Sequence, residues 1–128
     1  MLTLAFASLS GGEGKTSAAL VAARILSRTG KSVLLIDCDS QHFLTFFAGC
    51  EIEDTDPTLL EVLKGAIAPD EAIYDVDGLS IIPADHGLEA ARPWLMQSGM
   101  SATVARELTQ ARKELGDKRR SKAFSKRF

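Results

Sequence analysis

The residues with the most evident chemistry are Ser10, Gly11, Gly12, Glu13, Gly14, Lys15, Thr16 and Ser17, a glycine-rich run between an apolar stretch, Leu2 to Leu9, and a helix-forming one. Glycines let a turn aim its backbone N–H groups at phosphate oxygens, and a helix that follows adds the positive end of its dipole. In such a cradle Lys15 would neutralise the β and γ phosphates of a nucleotide, and the Thr16 hydroxyl would ligate magnesium. The second candidate group is Asp37-Cys38-Asp39. Carboxylates two residues apart at the carboxyl end of a strand point to one side of the chain, and in open α/β sheets that edge is where ligands bind. Asp37 and Asp39 are therefore expected at the magnesium ion or at an attacking water.

The general pattern Gly-x-x-x-x-Gly-Lys-Thr would place glycine at position 9, where this chain has Leu9. Context carries the assignment instead: a strand before, a helix after, and a second acidic strand end at the spacing of a βαβ unit. Taken alone, the first motif also fits a glycine-rich surface turn with a solvated lysine, and the second a solvated acidic loop.

The elements that must hold these groups follow from the apolar pattern. Leu2 to Leu9 reads as a strand buried on both faces of a parallel sheet. Ser17 to about Thr29 reads as a helix with Arg24 and Arg28 on its one wet stripe and Gly30 as its stop. Ser32 to Ile36 and Leu79 to Pro83 read as two more buried strands. Between them, Gln41 to Gly49 is a mixed segment whose Phe43, Leu44, Phe46 and Phe47 are expected to pack, and Thr58 opens a short helix ended by Gly65. Asp70 to Tyr74 fits a helical turn. Gly87 to Met96 reads as helix broken at Pro93, Ser98-Gly99 as a hinge-like turn, and Ser101 as the cap of a helix carrying Val104, Leu108, Ala111 and Leu115 on one face. The expected fold is α/β: a three-layer unit of P-loop NTPase type with a mostly parallel sheet of at least three strands and helices on both faces.

With 128 residues, 45% of them hydrophobic and 25% charged, the chain can bury one core. No apolar run approaches a membrane span, and the N-terminus lacks the pattern of a secretion signal, so a cytoplasmic location is expected. Cys38 and Cys50 have no metal-ligand spacing and read as core or near-core residues, while His42 and His86 carry no ligand spacing either. The formal net charge of −2 averages an acidic body and a basic end. Residues 1–117 hold 9 basic and 17 acidic side chains, and residues 118–128 hold 6 basic and none acidic. Any nucleic-acid contact would have to come through that end. Residues 117–128 are expected to be a basic, disordered tail following a domain over 1–116.

Ser10 to Thr16 resembles the deviant Walker A motif of the ParA/MinD ATPases, Lys-Gly-Gly-Val-Gly-Lys-Thr, and Val33 to Gln41 resembles the family's next strand, which typically ends Asp-x-Asp-Pro-Gln. Leu79 to Asp85 is similar to the Ile-Pro-Ala strand of the plasmid-partition branch. The resemblance implies a magnesium-dependent ATPase that works as an ATP-bound homodimer, binds DNA non-specifically, associates with the nucleoid, and is stimulated by a ParB-like or McdB-like cargo adaptor. It further implies that Gly11 to Thr16 bind the phosphates, that Lys15 holds β and γ, that Thr16 ligates magnesium with Asp37 in the metal's water shell, and that Asp39 orients the attacking water.

Three departures from that pattern stand out. Ser10 replaces the family's signature lysine, as in the carboxysome-positioning (McdA-like) branch. Glu13 brings a negative charge near the triphosphate, and Ser40 replaces the usual proline. The chain also ends before the family's Walker B strand, so it reads as an N-terminal half, with a truncated, frameshifted or naturally short end. The alternative function is a non-catalytic nucleotide-binding or dimer-interfering fragment acting on a full-length relative. A third is a tail-mediated binder of nucleic acid or acidic membrane.

Overall fold

The computed structural model describes residues 2–7 and 13–97. The expectations for Ser10, Gly11 and Gly12, for the turn and helix after Gln97, and for the basic tail lie outside the described residues.

Helix α1 (Lys15–Arg28) begins directly after Gly14, whose φ of 75° turns the chain into the helix, and the Ala18 N–H donates to the Gly14 carbonyl at 2.8 Å. It closes at Gly30, φ 80°, with Gly30 N–H donating to Ser27 O and Lys31 N–H to Leu26 O, the paired bonds that a left-handed glycine permits. The next elements in order are β1 (Leu34–Ile36), α2 (Phe43–Ala48), α3 (Leu59–Leu63), a 3-10 turn (Pro69–Ala72), β2 (Tyr74–Val76), β3 (Leu79–Ile82) and α4 (Gly87–Gln97). Thr58 caps α3 in a capping box with Glu61.

The sheet has three strands in the order β1-β3-β2. β1 runs parallel to β3, with Leu35 opposite Ile81, and β2 runs antiparallel to β3. Alternation divides the core into two faces. Leu35, Leu79 and Ile81 pack with Ala19 and Ala23 of α1 and with Leu44 and Ala48 of α2. Ile82 packs on the other face with Leu59, Leu60 and Val62 of α3 and with Leu88 and Ala91 of α4. Helices thus cover both faces, and the unit has the three layers expected.

Several expectations are corrected. Residues 2–7 lie outside the three-stranded sheet and are exposed, Leu2 at 70%. An apolar run becomes a buried strand only where a neighbouring strand takes its backbone groups, and here β3, with β1 on one edge and β2 on the other, fills the centre of the described sheet. The sheet is mixed because a two-residue turn, Asp77-Gly78 with φ of 51° and 75°, folds β2 back onto β3. The helical turn expected over Asp70 to Tyr74 is confined to Pro69–Ala72, and Tyr74 starts β2. Pro93 does not break α4, which runs from Gly87 to Gln97. An interior proline removes one backbone bond and crowds the carbonyl one turn earlier, yet the helix continues through it. In α2 only Leu44, Thr45 and Ala48 are buried, while Phe43, Phe46 and Phe47 stack on one another at the surface. Cys38 is exposed, whereas Cys50 lies in the core.

Candidate functional site

Both candidate groups sit at the start of a helix or the end of a strand. Gly14 and Lys15 open α1, with Thr16 and Ser17 in its first turn, where no acidic residue occurs. Beside them lies a cavity of about 220 Å³ lined by Phe6, Ala7, Glu13, Gly14, Lys15 and Ala18. The positive end of a helix of 14 residues, with a lysine in its first turn, suits an anion. A side chain at Gly14 would meet no atom within 4 Å. The requirement for glycine there is the positive φ and not lack of room.

Asp37 follows β1, and its N–H donates to Ile82 O at 3.1 Å, which ties the carboxyl ends of β1 and β3 together. Its side chain is 2% exposed. Oδ2 accepts from the Thr45 N–H at 2.8 Å and from the Thr45 hydroxyl at 2.7 Å, while Oδ1 accepts from the Asp39 N–H at 3.1 Å. Thr45 Oγ1 in turn accepts from the Ala84 N–H at 3.0 Å. Asp37 is therefore the buried acceptor that fastens the start of α2 to the end of β1, and Thr45 carries that fastening across to the segment after β3. A carboxylate has about four lone-pair positions, so the three internal bonds leave one position open.

Asp39 is exposed, and its side chain is fixed locally: Oδ1 accepts from the Gln41 N–H at 3.0 Å, and the Asp39 carbonyl accepts from the His42 N–H at 2.8 Å. Among the described residues neither aspartate lines the cavity at Lys15. The two are brought to one place by the Asp39 N–H bond to Asp37, with Asp37 buried and Asp39 facing solvent.

Four residues here were not assigned a role from the sequence. Thr45 reads as an ordinary helix residue, because its role depends on partners 8 and 39 positions away. His42 and His86 bring their rings to 4.3 Å between centroids, and His42 holds φ 45°. Asp85 accepts from the Gly87 N–H at 2.7 Å and lies 2.8 Å from the Thr58 hydroxyl, so it caps α4 and joins it to α3. The Pro-x-Asp-x-Gly spacing was the only sequence signal for that cap.

Among the described residues no group of three or more His, Cys, Asp and Glu could hold a metal ion alone. Magnesium beside a nucleotide draws most of its ligands from phosphates and water, so one hydroxyl at Thr16 and one buried carboxylate fit that ion better than a carboxylate cage would.

A three-layer α/β unit in which a glycine turn opens a helix and a sheet strand runs into paired aspartates has the P-loop NTPase-like fold. A family model described as an AAA domain matches residues 1–116, and the chain belongs to this family, in its ParA-like group. It is 48% identical over 107 residues to maintenance of carboxysome distribution protein A from Synechococcus elongatus, covering 83% of this chain and 42% of that protein. It is 34% identical over 110 residues to the chromosome partitioning protein ParA of Caulobacter vibrioides, covering 84% and 41%. Among solved structures, an ATP complex of an aspartate-to-alanine variant of McdA from Cyanothece superposes with a TM-score of 0.71 at 44% identity, over 77% of this chain and 38% of that one. Cobyrinic acid a,c-diamide synthase from Mycobacterium smegmatis, with an ATP analogue and magnesium, gives 0.75 at 30% identity, over 81% and 42%. The chain spans about two fifths of the length of the relatives it matches.

Proposed function

We propose that the chain binds magnesium-ATP in the cradle Gly11 to Thr16 and serves as the nucleotide-binding part of a ParA-like partition or cargo-positioning ATPase. The observation that carries this reading is the Gly14-Lys15-Thr16 turn opening α1 beside a cavity, together with the acidic end of β1, Asp37 and Asp39. Lys15 balances the β and γ phosphates, Thr16 gives magnesium its protein ligand, and Asp37 holds a water of the metal's shell while fixing the start of α2. Asp39 orients the attacking water. Magnesium, when bound, neutralises charge on the transferring phosphoryl group. An ATP complex of a relative in which an aspartate is alanine supports an aspartate whose loss leaves ATP in place.

In this reading the chain acts as a homodimer or with a full-length relative, in the cytoplasm and at the nucleoid, with non-specific DNA and a ParB-like or McdB-like adaptor as partners. Among the described residues no helix is long and apolar enough to cross a membrane.

Calorimetric titration with magnesium-ATP tests the reading. Saturable binding is expected in the parent chain, with loss of more than roughly tenfold in affinity in Lys15→Ala or on chelation of magnesium. Absence of binding in the parent overturns it.

A second reading, a non-catalytic nucleotide-binding or dimer-interfering chain, is favoured by the exposed apolar residues Val21, Ile25, Phe43, Phe46 and Phe47. It predicts ATP binding without turnover and inhibition of a full-length relative.

A further inference from the structure

We propose that the first turn of α4 is a positioning element for Asp39, acting through a Ser40–Glu89 hydrogen bond and a His42–His86 ring contact. The inference deepens the nucleotide-site reading and rests on it for the role of Asp39. The Ser40 hydroxyl donates to Glu89 Oε2 at 2.8 Å, and the His42 and His86 rings lie 4.3 Å apart with planes inclined by 52°. These two anchors straddle the short turn in which Gln41 N–H donates to Asp39 Oδ1 and His42 N–H donates to Asp39 O. The turn that aims the Asp39 carboxylate is thus pinned on both sides.

His86, immediately before α4, and Glu89 in its first turn are three positions apart, and Glu89 N–H donates to His86 O at 3.2 Å, which holds both on one side of the helix start. Arg92 approaches the other oxygen of Glu89, Oε1, at 3.8 Å, which leaves Oε2 directed at Ser40. His42 occupies the left-handed region at φ 45°, a conformation that costs free energy for a side-chain-bearing residue unless its surroundings enforce it. Its Nδ1 is buried with no hydrogen-bond partner among the described residues, so packing against His86 is what the structure supplies to hold the ring.

Ser40 stands where the resembled family carries proline. Proline stiffens a turn by fixing φ and cannot donate a side-chain hydrogen bond. Here serine replaces that internal stiffness with an external tie to α4.

Ser40 is half-buried and Glu89 is exposed, so substitution at either position leaves the fold in place. Hydrogen exchange on the full chain reads the turn directly at the Gln41 and His42 amides. In Glu89→Ala and in Ser40→Ala these two amides are expected to exchange roughly fivefold faster. Glu89→Gln, whose amide oxygen can still accept from Ser40, is expected to restore protection. The Thr45 amide, held by Asp37, is expected to keep its parent rate in all three variants. Unchanged exchange at Gln41 and His42 in Glu89→Ala, or failure of Glu89→Gln to restore it, overturns the proposal.

Steady-state turnover then separates the two readings. A fall in kcat at constant KM in Glu89→Ala, restored in Glu89→Gln, supports positioning of Asp39. Faster exchange with no turnover in the parent chain upholds the tie and removes the hydrolytic role assigned to Asp39. Turnover in the parent that Glu89→Ala leaves unchanged overturns the positioning role.

Discussion

Thr45 and Asp37 form a buried polar pair that joins three segments, and its worth lies in what deletion leaves behind. Removing the Thr45 hydroxyl takes one donor from a carboxylate that is 2% exposed and strips the Ala84 N–H of its acceptor. Thr45→Ala is expected to cost about 1–3 kcal/mol in urea unfolding, and Thr45→Ser to recover most of it, since unsatisfied buried groups cost more than the bond contributes. Gly87 has a different constraint. A Cβ there would lie 2.6 Å from Leu60 Cδ2 and 2.8 Å from Asp85 Oδ1. Gly87→Ala must therefore displace the Leu60 methyl and the Asp85 carboxylate that bonds the Gly87 N–H, and about 1–3 kcal/mol of lost stability is expected in the same measurement.

The β2–β3 hairpin and the loop beside it show how elements set the response to pH and to backbone change. Burial, and then the nearby Asp56 charge, push the Cys50 thiol up. Tyr74, whose hydroxyl donates to Pro57 O at 3.0 Å, is raised by the same two causes in the same order, with Cys50 and Glu61 adding to them. Each group favours folding fully below its unfolded pKa, and that contribution is lost as pH rises through the raised folded value. A melting temperature that holds through neutral pH and falls on the alkaline side is expected, with a shallower alkaline limb in Cys50→Ala/Tyr74→Phe. At the hairpin tip, Gly78 sits at φ 75°, so Gly78→Ala should cost about 1 kcal/mol or more by strain. The tip also bears on α1: Ser27 donates to Gly78 O at 3.3 Å, and Arg24, which lies 3.9 Å from Asp77, donates to Ala48 O. Loss of the turn therefore reaches the helix that carries Lys15.

Over the whole molecule, the described surface keeps apolar residues on two neighbouring helices: Val21 and Ile25 on α1, Phe43, Phe46 and Phe47 on α2. Aromatic side chains left in water favour association. Sedimentation at rising concentration is expected to show self-association that weakens in Phe46→Ser and in Ile25→Ser, while the melting temperature stays near the parent value, because neither side chain contributes to the core. An unchanged distribution in both variants would show that these positions take no part in association.

Local chemistry was legible without coordinates. Gly30 and Gly65 as helix stops, Thr58 as a cap, and the acidic end of β1 all follow from backbone rules acting within a few residues. The short apolar runs Ser32 to Ile36 and Leu79 to Pro83 were enough to predict buried strands in a sheet covered on both faces. The Asp77-Gly78 turn also carries a local signal, a dipeptide suited to positive φ. What no local rule contains is which distant groups meet. Leu2 to Leu9 has the composition of a core strand, yet its burial depends on a partner edge that residues 2–7 do not take. The bonds of Thr45 to Asp37 span eight residues and that of Ala84 to Thr45 thirty-nine, and Ser40, His42, His86 and Glu89 become a set only where the ends of β1 and β3 lie side by side. Composition and short-range geometry determine elements, because their causes lie within a turn of chain; the wiring of the site rests on contacts dozens of residues apart, which only the packed fold creates.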